Sequence, residues 1–178
     1  MVGDINSLIK GIEKEIKLLE DRLEVKSGFF KGLLKEKNDW SFIIKIHSLV
    51  EAAISHYIAV KINKKLETVF QRLPLSTATG SKLDFLKALG LLENRRGFIV
   101  LLSRIRNHYV HVVSNVSLRF EDYLDSNPEI FNILVKEFIK AFSKLSKTRA
   151  IDLIKKDPRY FIWLITMILL LSLDEIHT

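Results

Sequence analysis

From Trp40 to Phe70 the chain runs without a glycine or proline, and its apolar residues leave only one narrow stripe uncovered. At about 100° per residue, Lys45, Ala52, His56 and Asn63 fall on that stripe, while Trp40, Ile44, Ile54 and Ile58 fall opposite it. A helix that is apolar around most of its circumference must be enclosed by other elements. The segment therefore predicts a central helix from about Trp40 to Phe70, capped by Asn38 or Asp39, with the rest of the chain packed around it. His47 and Glu51 sit on its buried side. An isolated buried charge is very costly, so Glu51 needs a partner.

The flanking sequence supplies helices to enclose it. Ile5, Leu8, Ile9, Ile12, Ile16, Leu19 and Leu23 recur at spacings of three and four, with Lys and Glu between them. This predicts an amphipathic helix over 4–25, either a dimerisation arm or a helix packed on its own core. Ser27-Gly28 ends it, and a short basic stretch follows to Lys37. Arg72 to Gly80 is the longest loop signal. Ser81 with Asp84 forms a capping box for a short helix stopping near Gly90. Asn94 can cap a helix over 95–114. Asn127-Pro128 and Asp157-Pro158 each place proline after a capping residue, predicting helices over 128–147 and 158–176. No internal repeat or second core is visible. The fold class is all-α, an up-and-down helical bundle in a single domain over 1–178. Residues 1–37 form an N-terminal arm, 38–150 the core and 151–178 an apolar C-terminal helix.

Composition limits the functions open to such a bundle. The 178 residues contain no cysteine, which excludes disulfides, thiolate zinc ligation and thiol catalysis, and fits a reducing cytoplasm. No cofactor or metal is expected. The net charge of +7 is spread evenly: residues 1–90 carry 15 basic and 11 acidic side chains, and 91–178 carry 13 and 10. That is compatible with nucleic acid without marking a groove. The N-terminus lacks the pattern of a signal peptide. The most apolar run, Tyr160 to Leu173, spans roughly 21 Å as a helix, short of the ~30 Å hydrocarbon core of a bilayer. It reads as a buried or interface helix.

The chemical content is concentrated in Arg106-Asn107-His108-Tyr109-Val110-His111. Arginine stays charged and presents a planar fork to phosphate oxygens. Histidine trades a proton near neutral pH. Together they suit a phosphodiester. Phe98, Leu101, Leu102, Ile105, Tyr109, Val112 and Val113 make one apolar face of the predicted helix. Asn107 and His111, four apart, share another face, with Arg104 beside it. Arg106 projects to the margin of the apolar face, where Glu51 is the expected partner.

Arg106-Asn107-x-x-x-His111 resembles the Arg-x(4–6)-His motif of the HEPN superfamily, which often has a polar residue directly after the arginine. Within it the chain is most similar to the mannitol operon repressor family. Leu49-Val50-Glu51, Leu73-Pro74-Leu75-Ser76, Lys82 with Ala88-Leu89-Gly90-Leu91, and Ile105 to His111 carry the likeness, over about half the chain, residues 40–122. There are departures. Tyr109-Val110 stands where that family has Phe-Ala, His108 is unusual, and Val113 replaces the tyrosine of toxins modified at that position. The resemblance implies a four-helix bundle, usually a homodimer that brings two motifs together. It implies a metal-independent endoribonuclease, as a toxin or defence component, in which His111 is the acid/base, Arg106 stabilises charge and Asn107 orients. The mannitol-repressor likeness implies the alternative, a non-catalytic regulatory module. That module would act through a protein partner such as an antitoxin or regulator, without sequence-specific DNA reading.

Each residue also has a plainer reading. Arg106 can be a structural partner of Glu51, and His111 a capping or interface histidine. His108 and His111, three apart, could ligate a metal, yet no third ligand lies nearby in sequence. His56 on the solvent stripe reads as inert. His47, one turn from Glu51, reads as a buried hydrogen-bonded histidine. Arg95, Arg96, Arg104 and Arg106 place four arginines in 12 residues, either a phosphate-binding face or a solvated helix start.

Overall fold

The structure, a computed structural model, describes residues 11–12, 14–21, 23, 25–90, 93–143 and 145–174. Ile5, Leu8, Ile9, Leu91 and residues 175–176 lie outside the described residues. Among those described the chain is helical and contains no strand, an all-α fold.

Helix α1 covers 14–21. Ile12, Ile16 and Leu19 are buried in the common core, so this helix packs on its own bundle. Buried Glu20 follows them, and its carboxylate accepts from the N–H of Gly28 (2.8 Å) and of Phe30 (3.0 Å). Those bonds satisfy the start of α2, Phe29–Leu33.

Helix α3, Asp39–Ile62, is the central element, capped by Asn38, whose side chain accepts from Ser41 N–H at 2.8 Å. It stops short of Phe70. Asn63 takes an extended conformation and its side chain accepts from Lys65 N–H at 3.0 Å, an alternative to continuing the helix. A 3₁₀ turn, Lys64–Leu66, leads into α4, Glu67–Arg72. Helix α3 is long and apolar enough to cross a membrane by length and composition, yet half of that stretch is buried inside the bundle.

Helix α5, Lys82–Ala88, starts at the capping box: Ser81 Oγ accepts from Asp84 N–H, while Asp84 accepts from Gly80 N–H. A 3₁₀ turn, Glu93–Arg95, precedes α6, Arg96–His111, so the helix starts at Arg95 as its cap rather than Asn94. It ends three residues before the expected 114, and Val113–Ser117 form a 3₁₀ turn. Helix α7, Phe120–Ser126, was not evident in the sequence. The predicted 128–147 helix divides into α8, Pro128–Ala141, and α9, Lys147–Lys156, with Ser146 capping the second. Helix α10, Pro158–Asp174, buries Phe161, Ile162, Trp163, Leu164, Ile165 and Met167 within the molecule. Trp163 Nε1 donates to Phe30 O at 2.8 Å, and Arg159 pairs with Asp39 at 3.3 Å, clamping α10 onto α2 and α3.

Candidate functional site

Helix α6 lies against α3 through Phe98, Ile99, Leu101, Leu102, Ile105 and Tyr109, all buried. Two ties hold its C-terminal end. Tyr109 Oη donates to Leu118 O at 3.3 Å, and Asn115 Nδ2 donates to His108 O at 2.9 Å, satisfying a carbonyl of the last turn. Because α6 stops at His111, Val112 and Val113 leave the apolar face on which the sequence placed them. Val113 is 88% exposed, and Val110, Val112 and Val116 are exposed around it.

Arg106 is half-buried on α6, and Asn107 and His111 are exposed. Arg106 Nη1 donates to Asn107 Oδ1 at 3.1 Å. Among the described residues Arg106 has no carboxylate within salt-bridge distance, which corrects the expected pairing with Glu51. Glu51 Oε1 instead accepts from Lys82 Nζ at 2.9 Å, and the same ammonium donates to Gln71 O at 3.3 Å. Lys82 is fully buried, while Glu51 is only half-buried. The acid on the inner side of α3 thus serves a lysine from α5.

His47 is buried beside this pair, as its phase on α3 implies. Its Nδ1 lies 3.9 Å from Glu51 Oε2, and its Nε2 lies 3.2 Å from Ser103 Oγ on α6. Ser103 Oγ also approaches Leu75 O at 3.5 Å. Burial pushes the His47 imidazole below its ordinary range; Glu51 opposes that shift, and the charges of Arg106 and Lys82 add to it. His47 is therefore a neutral hydrogen-bonding link between α3, α6 and the 72–80 loop. His56, which the sequence placed on the solvent stripe as inert, is half-buried with its Nδ1 2.9 Å from Glu67 Oε1.

On the other side of the α6 terminus, Arg104 pairs with Glu129 at 3.0 Å. The His108 ring lies 4.6 Å from that of Tyr123, tilted by 40°. Arg104, His108 and Tyr123 line a cleft of about 390 Å³ with Asn127, Glu129 and Ile130. Burial raises the Tyr123 hydroxyl above its ordinary range, with the Arg104 charge pulling it back. Among the described residues no three His, Asp or Glu side chains come together as metal ligands.

Lys82, Ser103 and Tyr123 were missed as site residues. Lys82 follows a helix cap, a position that ordinarily faces water, and Ser103 carries no distinguishing neighbour. Tyr123 sits in a helix without a recognisable start in the sequence. No family model, curated protein or solved structure matches this chain.

Proposed function

We propose that the chain is a metal-independent RNA endonuclease, centred on Arg106, Asn107 and His111, that works as a cytoplasmic toxin or defence component. One observation carries the reading: Arg106 has no carboxylate within salt-bridge distance among the described residues and its guanidinium donates to the neutral Asn107, while His111 on the same helix is exposed. A guanidinium held by a neutral amide keeps its full charge for a phosphate. In the proposed step the RNA 2′-hydroxyl attacks the adjacent phosphorus and the bond to the 5′ oxygen breaks. An imidazole, that of His111 or of its symmetry mate, takes the hydroxyl proton or gives one to the leaving oxygen. Arg106 stabilises the charge gathered on the phosphorane oxygens, and Asn107 fixes the guanidinium. The products are a 2′,3′-cyclic phosphate and a 5′-hydroxyl.

Arg106 and His111 are five residues apart, so they diverge by about 140° around α6. Asn107, which accepts from the guanidinium, is four residues from His111 and shares its side of the helix. A homodimer pairing two α6 termini supplies the rest of the alignment, as the resemblance to the HEPN superfamily implies. In the test, purified protein and structured RNA are incubated with EDTA. Wild type should cleave and leave cyclic phosphate ends; Arg106→Ala and His111→Ala should each lose activity by about 10²–10⁴-fold, and His56→Ala should keep it.

The exposed Val110, Val112, Val113 and Val116 favour a second reading, a regulatory module acting through protein contacts at the same end of α6. A folded wild type that leaves RNA intact, while binding a protein partner through these valines, would put that reading in place of the first.

A further inference from the structure

The cleft beside α6 has the parts of a phosphate site. Helix α8 begins at Pro128 without a side-chain cap, because Asn127 donates its Nδ2 to Tyr123 O at 2.8 Å instead. The first intrahelical bond is Phe131 N–H to Asn127 O. That leaves the N–H groups of Glu129 and Ile130 without acceptors among the described residues, at the positive end of a 14-residue helix. A helix start alone would not define a ligand. Tyr123 supplies the independent observation: it is only 3% exposed, it lines the cleft, and its hydroxyl has no hydrogen-bond partner among the described residues. Arg104 contributes a guanidinium and His108 an imidazole to the same wall. The opposing group is the Glu129 carboxylate, which is largely exposed and currently neutralises Arg104.

We propose that this cleft binds a phosphate group of a single-stranded RNA, the one flanking the phosphate addressed by Arg106 and His111. Arg104, the Tyr123 hydroxyl and the α8 amides are its donors, and Glu129 is the gate that an incoming phosphate displaces from Arg104. The placement rests on the endonuclease reading. Arg104 and His108 are two turns and one turn before His111 on α6, so a strand lying along that face meets both places.

The experiment is a ¹⁵N–¹H NMR titration of the full chain, first with inorganic phosphate and then with a single-stranded DNA oligonucleotide, which lacks the 2′-hydroxyl and is not cleaved. Phosphate should shift the Glu129 and Ile130 amides. Arg104→Ala and Tyr123→Phe should each weaken the binding read at those amides by about tenfold, and Glu129→Gln should strengthen it. The oligonucleotide should compete with phosphate for those amides, and Arg104→Ala should reduce its salt slope by about one. Silent Glu129 and Ile130 amides, or an affinity read at them that is indifferent to Arg104 and Tyr123, would overturn the site. Phosphate bound without competition from the oligonucleotide would overturn its assignment to the strand. RNA cleavage with silent Glu129 and Ile130 amides would remove the subsite and leave the endonuclease standing. Competitive binding without cleavage would keep the subsite and remove the endonuclease.

Discussion

Lys82 carries its ammonium into the bundle interior, where Glu51 and the Gln71 carbonyl are its acceptors. Removing an ammonium from water costs several kcal/mol, and only good partners offset it. Glu51→Ala therefore strands a buried cation and should destabilise by about 3 kcal/mol, near the low end of such effects because the Glu51 side chain is 35% exposed. Lys82→Met removes the charge but keeps the stem, so it should cost less. Urea denaturation midpoints of the two variants check the order; equal losses would mean that the ion pair is not what the interior requires. The need of Glu51 for a partner was legible from its phase on α3, and so was the burial of His47. The identity of the partner was not. Helical phase gives a direction around an axis, and which neighbour waits in that direction depends on how the 72–80 loop carries α5 back across α3.

At the scale of elements, the position where α6 stops determines the character of the site. Had the helix run to 114, as its apolar spacing suggested, Val112 and Val113 would continue the buried face. The extended Val112 and the 3₁₀ turn after it expose both and leave His111 at a helix terminus held by Asn115. The other end of α6 is fixed by a close approach. A Cβ at Gly97 would stand 2.4 Å from Glu137 Oε1, a buried carboxylate on α8 that accepts from Lys140 Nζ at 2.6 Å. Gly97→Ala should therefore destabilise by about 1–3 kcal/mol, even though alanine favours a helix interior by up to ~1 kcal/mol. A double-mutant cycle with Glu137→Ala tests the cause: the loss should shrink once the carboxylate is gone, and strictly additive losses would place the strain elsewhere. Caps were the most readable signals, at Asn38, Ser81 and Asp157, because each needs only local backbone and one side chain. Where Asn competes for the backbone within an apolar run, as Asn63 does, the local alternative ended the helix and the periodicity did not reveal it.

For the whole molecule, the apolar surface available for assembly is not that of α10, which the sequence left open as an interface helix. Its side chains are taken up by α3, α7, α8 and α9 within one chain, with Trp163 bonded to α2. Among the described residues exposed apolar side chains gather instead at Val110, Val112, Val113 and Val116, around His111, and at Val60, Ile62, Leu66 and Val69 where α3 gives way to α4. A homodimer formed around His111 would place two motif termini together. Light scattering at micromolar concentration should give twice the monomer mass. Val113→Asp should return a folded monomer, judged by unchanged helical circular dichroism, and should abolish RNA cleavage. A wild-type monomer would sink this assembly. The sequence by itself determined the all-α class, the central place of α3, most helix starts and the polar content of the motif, because periodicity and capping are local and are written every three or four residues. Only the tertiary structure decided that Lys82 rather than Arg106 meets Glu51, that α10 is spent internally, and that α7 and α8 frame a cleft beside Arg104. Those outcomes depend on which helices become neighbours, and that is set by burying all the apolar faces at once.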